Sequence, residues 1–341
     1  MPSVRLAEIE VLARRHNLPE FIAQMLCARG IAPDQVERFL NPTLKSDLPS
    51  PLSLRGMDDF AVFMAQAIQE KKKISIFGDF DVDGATSSAL LYRFLKHCGV
   101  EARIYIPERL TEGYGPNNDA LKTLRDEGAE ILLILDCGTT AFDTLKFGKE
   151  IGLQTCVLDH HETEARLPDV AHLINPKRKD DESGLTMLAA VGVTFMACVA
   201  MNSALRAQGF YQGPEAPLKD WLDLVALGTV CDMVPLTGVN RLLVRQGFQI
   251  MRQTKNIGLQ ALIDVSRISG DPNTYHAGFM LGPRINAGSR VHRSDLGARL
   301  LVTEDAEEAK NIAWTLHDCN EQRKSLQAQM EAEAVQKVEQ G

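Results

Sequence analysis

Apolar and polar residues alternate along residues 72–160 in a pattern that is typical of βαβ units. Short apolar runs indicate buried strands, and the amphipathic stretches between them indicate helices. The predicted strands are residues 73–80, 102–106, 131–136 and 155–159. The predicted helices between them are residues 86–97, 117–127 and 144–151. This order predicts an α/β fold with a mostly parallel sheet and helices on both faces.

The segments on either side of this core are predicted to be helical. Residues 1–70 indicate short helices interrupted by Pro42, Pro49 and Pro51, and we expect them to pack on the core. After the core, residues 185–205 predict a long buried helix, and residues 221–227 and 239–251 predict two more helices. We therefore expect an N-terminal helical segment at 1–70 and a main domain at 71–302.

Residues 303–341 contain a long predicted helix, from position 304 to position 340. Its thin apolar stripe includes Ile312, Leu316, Leu326 and Met330, and no Pro or Gly interrupts it. One interpretation is a C-terminal helix with a frayed end. We favour the other, in which the helix connects to a second domain that is absent from this chain.

Composition and charge narrow the class of protein only slightly. The 341 residues are 45% hydrophobic and 24% charged, as in ordinary soluble proteins. The net charge of −8 argues mildly against nucleic acid as a partner, because phosphate contacts need Lys and Arg. However, nine acidic and four basic residues follow Thr303, so most of the negative charge lies in the tail. The charge therefore does not decide the question.

The sequence contains no membrane, secretion or disulfide signature. No apolar run approaches the ~20 residues that span a bilayer. The N-terminal charges of Glu8, Glu10, Arg14 and Arg15 do not fit a signal peptide. The seven cysteines form no CxxC pair, which disfavours disulfides and a structural zinc site. We expect a cytoplasmic protein without a membrane partner.

Three carboxylates at positions i, i+2 and i+4 give the strongest chemical signal. Asp79, Asp81 and Asp83 follow an apolar strand, and in an extended segment their side chains would share one face. Such carboxylates repel one another unless a cation joins them. An exposed acidic loop is the simpler alternative. An EF-hand is disfavoured because position twelve, counted from Asp79, is Leu90 instead of Glu.

Two later strands also end in ionisable residues. Asp136 follows one apolar run, and Asp159, His160 and His161 follow the next. Each alone would fit a helix N-cap or a loop. In a parallel sheet, however, functional groups gather at the carboxyl ends of the strands, so all of these residues would share one edge. Asp232 stands between apolar neighbours, where it is either a satisfied helix end or a further member of the group.

The predicted ligands are aspartate oxygens and a histidine nitrogen, with no sulfur. This set suits Mn²⁺ or Mg²⁺ better than a structural zinc. Five or six such ligands are enough for two ions about 3.5–4 Å apart, an arrangement that suits in-line attack on phosphorus.

The sequence Asp-His-His at residues 159–161, with GDFDVDG upstream, resembles the DHH phosphoesterase superfamily. Other stretches resemble its RecJ family of single-stranded-DNA-specific exonucleases. These stretches are RGI at 29–31, FLNP at 39–42, IPER at 106–109, EGYG at 112–115, CDMVPL at 231–236 and GPRINA at 282–287. The resemblance covers nearly all of the chain and makes 71–302 the DHH catalytic domain.

The resemblance implies a two-metal hydrolase that degrades single-stranded DNA from the 5′ end and releases nucleotides in DNA repair and recombination. The implied metal ligands are Asp79, Asp81, Asp83, Asp136, His160 and Asp232. The implied catalytic residues are His161 near the scissile phosphate, Asp159 behind it, and Asp136. The implied DNA-binding residues are Arg109, Tyr114, Arg284, Asn286 and Arg290. Single-stranded DNA is the implied partner, with a single-strand-binding protein or a helicase as candidate protein partners.

Taken without the resemblance, Arg284 and Arg290 would belong to a basic loop. RecJ proteins continue into a second domain with a GGH motif, which this sequence lacks, so we expect a strand cleft with one wall and weak activity. Residues 287–290 read Ala-Gly-Ser-Arg where the family commonly has Ala-Ala-Gly-Arg.

Three other functions are alternatives to this one. A superfamily enzyme for pyrophosphate, cyclic dinucleotides or short oligonucleotides would usually carry a histidine at the position of Phe77. A non-catalytic DNA-binding subunit would have lost ligands, whereas here every ligand position is filled. A nucleotide-driven motor, and with it a nucleoside triphosphate ligand, is disfavoured because no GxxxxGK[ST] loop occurs.

Overall fold

The computed structural model of the protein describes residues 6–340, which form two compact units divided after Pro49. The first unit contains four helices around a small apolar core. The helices are α1 (Leu6–His16), α2 (Glu20–Ala28), α3 (Val36–Leu40) and α4 (Leu44–Asp47). Ile9, Leu12, Ala23 and Leu26 are buried between them.

The second unit is built on a five-stranded sheet in which every pairing is parallel. The strands are β1 (Ile74–Gly78), β2 (Arg103–Tyr105), β3 (Ile131–Leu135), β4 (Gln154–Leu158) and β5 (His172–Ile174), in the spatial order β2-β1-β3-β4-β5. The predicted parallel sheet is confirmed. The short strand β5 was not predicted.

Helices cover both faces of this sheet. The helices up to the middle of the chain are α5 (Met57–Gln69), α6 (Val82–His97), α7 (Asn118–Asp126), α8 (Phe142–Glu150) and α9 (Ala190–Ala207). One face packs against α7 and α8 through an apolar cluster that includes Phe77, Leu121, Ile134 and Leu145. Helices α5, α6 and α9 contact the strands from the other side.

The remaining helices pack together beyond α6. They are α10 (Leu222–Cys231), α11 (Gly238–Met251), α12 (Ile257–Val265), α13 (Thr274–His276), α14 (Gly282–Val291), α15 (Leu296–Val302) and α16 (Ala306–Gln340), with a π-helical turn at Ala277–Leu281. A second apolar cluster joins them to α6 through Ala85 and Ala89.

Helix α5 belongs to the second unit, where its apolar face, including Phe60 and Met64, is fully buried. Two features differ from the sequence expectations. Residues 282–291 form helix α14 instead of a loop, since Pro283 is tolerated in a first helical turn. Helix α6 begins at Val82, four residues earlier than predicted.

Helix α9 is the one helix among residues 6–340 with the length and composition to cross a membrane. Within the domain, 72% of it is buried, which fits the predicted core helix. Helix α16 changes character along its length: Ile312 and Leu316 are buried, while Leu326 and Met330 are exposed.

Candidate metal centre

The register of three adjacent strands brings three aspartates to one edge of the sheet. Gly78 at the end of β1 lies opposite Leu135 at the end of β3, and Leu135 lies opposite Leu158 at the end of β4. The next residue of each strand is an aspartate: Asp79, Asp136 and Asp159. All three are buried, with at most 3% of their surface exposed. The predicted convergence of strand ends is therefore a consequence of in-register parallel pairing.

The acidic motif after β1 does not form the extended segment that its spacing suggested. Asp81 is the N-cap of α6, and its Oδ1 accepts a hydrogen bond of 3.0 Å from the Gly84 amide. Asp83 therefore lies in the first helical turn and not on one strand face with Asp79. The reason is the strong capping preference of aspartate, which starts the helix immediately after the strand.

The side chain of Asp83 is anchored by a helix from far along the sequence. Its two carboxylate oxygens accept hydrogen bonds from the Ala190 and Val191 amides at the start of α9, at 2.6 and 2.8 Å. The positive end of a helix dipole stabilises a buried carboxylate in this way. This contact could not be predicted from the sequence, because nothing in residues 190–191 marks them as partners of Asp83.

His160 lies at the centre of the carboxylates. Its Nε2 is 3.3 Å from Asp136 Oδ1 and 3.8 Å from Asp83 Oδ2, and its Nδ1 is 3.6 Å from Asp232 Oδ2. Among residues 6–340, neither His160 nitrogen has a hydrogen-bond partner, and the same holds for Asp79 Oδ1, Asp136 Oδ1 and Asp232 Oδ2. Buried polar atoms without partners are costly, and a bound cation or water would satisfy these atoms.

Three sets of side chains present ligand atoms within 4.8 Å of one another. The sets are Asp79 with Asp81 and Asp136, Asp83 with His160 and Asp232, and Asp136 with His160 and His161. Asp136 belongs to two of them. Overlapping sets of hard oxygen donors with a histidine nitrogen fit a pair of Mn²⁺ or Mg²⁺ ions.

The pKa values of the clustered side chains also favour a bound cation. Burial, and then the charge of neighbouring Asp81, raises the pKa of both Asp79 and Asp232 to about 7. Burial, followed by the nearby carboxylates, also raises the pKa of Asp83 and Asp136 well above the usual range. Burial, followed by the charge of His161, lowers the pKa of His160 to about 4, so its ring is neutral at pH 7 and available as a ligand.

Asp136 itself has an unusual backbone. Its φ of +62° lies in the left-handed region, which is uncommon for residues other than glycine. Aspartate tolerates this conformation better than most residues, and such conformations cluster at functional sites. The turn directs the Asp136 side chain towards His160 immediately after β3.

Asp159 supports the centre through the backbone and through His161. Its carboxylate accepts hydrogen bonds from the Thr139, His160 and His161 amides and from His161 Nδ1, the last at 2.7 Å. Burial alone would raise the pKa of Asp159, but these bonds outweigh it and lower that pKa. The hydrogen bond between His161 Nδ1 and the Asp159 carboxylate raises the pKa of His161. These bonds hold the Asp159 carboxylate beside His161.

His161 points its other nitrogen towards the surface. Its Nε2 lies 3.3 Å from the Tyr114 hydroxyl, which also donates to the Asp136 carbonyl at 3.4 Å. Tyr114 is 60% exposed and packs edge-on against Phe80. The predicted residues His161 and Tyr114 thus meet at the mouth of the cluster.

Comparison with known proteins identifies the family. The family model described as "DHH family, N-terminal domain" matches residues 73–229, which contain all of the ligands named above except Asp232. A crystal structure of exonuclease RecJ bound to manganese is 32% identical, with a TM-score of 0.72, and the match covers 81% of this chain and 68% of that chain. The chain belongs to the DHH family.

Two further comparisons link this DHH chain to RecJ proteins. It is 34% identical over 334 residues to the single-stranded-DNA-specific exonuclease RecJ of Bacillus subtilis, which covers 98% of this chain and 41% of that relative's length. The structure of RecJ from Thermus thermophilus in complex with Mn²⁺ is 28% identical with a TM-score of 0.79, covering 96% of this chain and 45% of that one. The resemblance stated from the sequence is confirmed.

Two of the predicted arginines, Arg109 and Arg290, bring positive charge to the neighbourhood of Asp79. The Arg109 guanidinium lies 4.8 Å above the Phe80 ring, next to Asp79, and the Arg109 amide donates to Ser294 Oγ at 3.1 Å. The end of α14 contributes Arg290; burial, followed by the charges of Arg109 and Arg323, lowers its pKa. Arg323, on α16, is a neighbour that sequence reasoning missed, because it matches no motif.

Arg284 and Asn286 lie deeper in the DHH chain than a surface anion site would suggest. Arg284 is 7% exposed, and its Nη1 donates to the Met280 carbonyl at 2.6 Å. Within the described part of the chain, Arg284 Nε and Asn286 Oδ1 are buried without a hydrogen-bond partner. Burial lowers the pKa of Arg284.

Proposed function

We propose that the chain is the catalytic part of a metal-dependent exonuclease that hydrolyses single-stranded DNA from its 5′ end and releases nucleotides. The observation that carries this proposal is the unsatisfied cluster around His160. Its buried carboxylates and its neutral imidazole form a set of donors that suits two hard divalent cations.

The relatives support the choice of reaction. Proteins named as single-stranded-DNA-specific exonuclease RecJ match most of this chain, and two RecJ structures contain manganese. Because this chain spans less than half of the Bacillus subtilis relative, activity, substrate and polarity are proposed here on the basis of the site and the family. A role in DNA repair and recombination follows from the same proposal.

Asp79, Asp81, Asp83, Asp136, His160 and Asp232 would hold two ions, Mn²⁺ or Mg²⁺. Bound there, the ions would lower the pKa of water and offset the charge on the phosphate oxygens. The carboxylates would hold the two cations at the sheet edge. Asp136 would contribute to the binding of both ions, because it belongs to two ligand sets.

We propose that His161 orients the phosphate or the nucleophile. Asp159 holds its Nδ1, which leaves Nε2 directed towards the opening beside Tyr114. A histidine whose tautomer and ring orientation are fixed by a carboxylate is a more effective donor than a mobile one. Asp136, Asp159 and His161 would therefore act as one unit.

Arg109, Tyr114, Arg284, Asn286 and Arg290 would bind the strand. Arg109 and Arg290 are exposed and near each other, so their guanidinium groups are available to phosphate oxygens. Arg284 is buried, and its Nη1 already donates to the Met280 carbonyl. Its remaining guanidinium nitrogens would bind the strand.

We also propose that residues 303–341 connect the catalytic domain to a further domain. The second half of α16 exposes Leu326, Met330 and Val338, which a solvent-exposed helix does not require. The first unit, with the segment up to residue 70, would be its N-terminal helical region. We place the protein in the cytoplasm, with a single-strand-binding protein or a helicase as its protein partner.

The test is digestion of 5′-labelled and 3′-labelled single-stranded DNA with Mn²⁺, with EDTA and the His160→Ala variant as controls. Release of mononucleotides from the 5′ end, lost in both controls, is the expected result. Release from the 3′ end would contradict the polarity alone. If nothing is released, the same assay on a chain extended past Gly341, and on a dinucleotide, separates a missing domain from a small-nucleotide phosphoesterase.

A further inference from the structure

Two large aromatic side chains are stacked on the surface, on a segment that packs against Cys231. Tyr275 and Phe279 are 62% and 73% exposed, and their ring centroids lie 5.2 Å apart at an interplanar angle of 27°. The four-residue spacing brings them to the same side of one helical segment. A flat apolar surface of this kind is not needed for the core, since both rings face solvent.

The segment that carries the pair is firmly positioned. A capping box at Asn273 and His276 begins it, and a π-helical turn follows at Ala277–Leu281. π-Helical turns are rare and occur frequently at functional sites. The turn is continuous with α14, so the two aromatic rings lie on one uninterrupted helical segment with Arg284, Asn286 and Arg290.

The same segment packs directly against the helix that delivers a metal ligand. The Cys231 thiol donates to the Ala277 carbonyl at 3.3 Å, and a methyl group on Gly282 would lie 2.6 Å from Cys231 Sγ. The next residue after Cys231 is Asp232, whose Oδ2 lies 3.6 Å from His160 Nδ1. The segment that carries the aromatic pair therefore contacts, through the Cys231 side chain, the residue that precedes Asp232.

We propose that Tyr275 and Phe279 form a stacking platform for a nucleobase of the single strand whose phosphate lies at the metal centre. This inference rests on the proposed function. The charge distribution favours a nucleic acid over a protein partner, because the helix that continues from the platform carries arginines for the backbone while the platform offers flat π faces. Stacking on aromatic rings is tolerant of sequence, as an exonuclease requires.

The experiment is a double-mutant cycle in which an aromatic side chain is removed from the protein and the bases are removed from the strand. Affinities of the wild type and of the Phe279→Ala and Tyr275→Ala variants are measured in EDTA for oligothymidine and for an abasic strand of equal length and charge. Loss of one stacked base is worth about 5- to 150-fold in Kd. We expect this loss for oligothymidine in each variant, and nearly unchanged Kd values for the abasic strand.

Two further variants keep the result specific. Phe279→Trp should retain the preference for oligothymidine, whereas Phe279→Leu, which keeps an apolar surface without a π face, should lose most of it. Phe21→Ala is the matched control, since Phe21 is a similarly exposed phenylalanine (62%) in the first unit. It should not affect either strand.

The outcomes separate the two proposals. If the wild type binds oligothymidine and the abasic strand equally, or if Phe279→Ala weakens both strands to the same extent, the platform is wrong while strand binding stands. The platform is also wrong if Phe279→Leu binds like the wild type, because an apolar contact with a protein segment would then explain the exposed rings. If the wild type binds neither strand, the proposed function fails together with the platform.

Discussion

His160 Nε2 lies 3.3 Å from Asp136 Oδ1, yet within residues 6–340 neither atom has a hydrogen-bond partner. Two adjacent buried acceptor atoms repel each other unless a proton or a cation lies between them, and burial, followed by the nearby carboxylates, raises the pKa of Asp136. The neutral state of His160 follows from burial and the neighbouring His161, which lower its pKa to about 4. A divalent cation that binds both atoms removes this conflict and explains why the arrangement persists in a folded protein.

The first prediction concerns Mn²⁺ binding. We expect His160→Ala and Asp136→Asn each to lower Mn²⁺ affinity by at least about 10- to 100-fold, the range found even for outer-sphere partners. Asparagine tolerates the left-handed backbone of Asp136, so the change removes charge without forcing the turn to refold. Titration calorimetry measures the affinity, and hydrolysis should fall to the level found in EDTA.

Asp223→Asn is the matched control for this experiment. Asp223 is also a buried aspartate, but its Oδ1 accepts a hydrogen bond from the Leu224 amide at 2.8 Å, and it belongs to none of the three ligand sets. Its substitution should leave Mn²⁺ affinity unchanged. If the two site variants bind Mn²⁺ as tightly as the control does, the assignment of the ligands is wrong.

The second prediction separates positioning from metal binding. Asp159→Asn replaces an acceptor of four N–H groups with an amide, so it should release His161 from its fixed orientation. We expect kcat to fall by about 10- to 100-fold while Mn²⁺ affinity changes much less. An equal loss of both quantities would mean that Asp159 is itself a ligand. Asp169→Asn, at a surface aspartate paired with Lys149, is the control.

A third prediction tests the close approach inside the acidic motif. A methyl group on Gly84 would lie 2.3 Å from the Asp79 carbonyl oxygen, a backbone atom that cannot move aside. We expect Gly84→Ala to destabilise the protein by about 1–3 kcal/mol and to weaken Mn²⁺ binding, because Asp79 and Asp81 must separate from the helix. Urea unfolding measures the first effect, and calorimetry the second.

Gly213→Ala provides the comparison for Gly84→Ala. No atom of the described residues lies within 4 Å of a methyl group at that position, so the change should stay within about 0.5 kcal/mol. If the two alanine variants have the same stability, the turn at Gly84 is looser than the geometry indicates.

The strand ends were predictable from the sequence, whereas the detailed ligand geometry was not. Short apolar runs followed by Asp79, Asp136 and Asp159 predict that these residues share one sheet edge, because parallel strands end together. Spacing alone placed Asp83 on the wrong element, since it cannot weigh the capping preference of Asp81 against continuation of the strand. The amide partners of Asp83, Ala190 and Val191, depend on tertiary packing across more than a hundred residues.

The structure around the metal centre was also only partly predictable from the sequence. The sequence of residues 283–290 contains Pro283, Gly288 and two arginines, a composition that favours a loop over the observed α14. Tertiary contacts override this preference: a methyl group on Gly288 would meet Leu316 of α16 at 2.9 Å, so the small residue permits close helix packing. The exposed pair Tyr275 and Phe279 carried no signal in the sequence, because burial cannot be read from two aromatic residues alone.

The fourth prediction concerns pH and lies away from the centre. His172 of β5 packs against the rings of Phe60 and Phe63, with centroids at 5.8 and 4.9 Å. Burial lowers its pKa below the ordinary 6.5, against the opposing charge of Asp59. Because protonation is then easier in the unfolded chain, the stabilisation is complete above about pH 6.5 and is lost as the pH falls towards the folded-state pKa.

His172→Gln removes this titration. The decline in Tm between about pH 7 and about pH 5 should be smaller for the variant than for the wild type, when both are measured in EDTA by thermal unfolding. Parallel curves for the two proteins would show that His172 does not contribute to acid sensitivity.

The last prediction addresses strand binding by the exposed arginines. Arg290 and Arg109 lie near each other and near Arg323, and no ion pair within 4.0 Å to a carboxylate is found for any of the three among the described residues. Like charges held together without a close ion pair are compensated when a phosphate binds between them. We expect Arg290→Gln to weaken single-stranded DNA binding and to reduce the slope of log K against log salt by about 0.7, the value for one phosphate contact.

Arg299→Gln is the control, because Arg299 is already paired with Glu308 at 2.8 Å and its substitution should leave the slope unchanged. Fluorescence anisotropy across a salt series measures both variants, and an unchanged slope in Arg290→Gln would remove Arg290 from the DNA-binding surface.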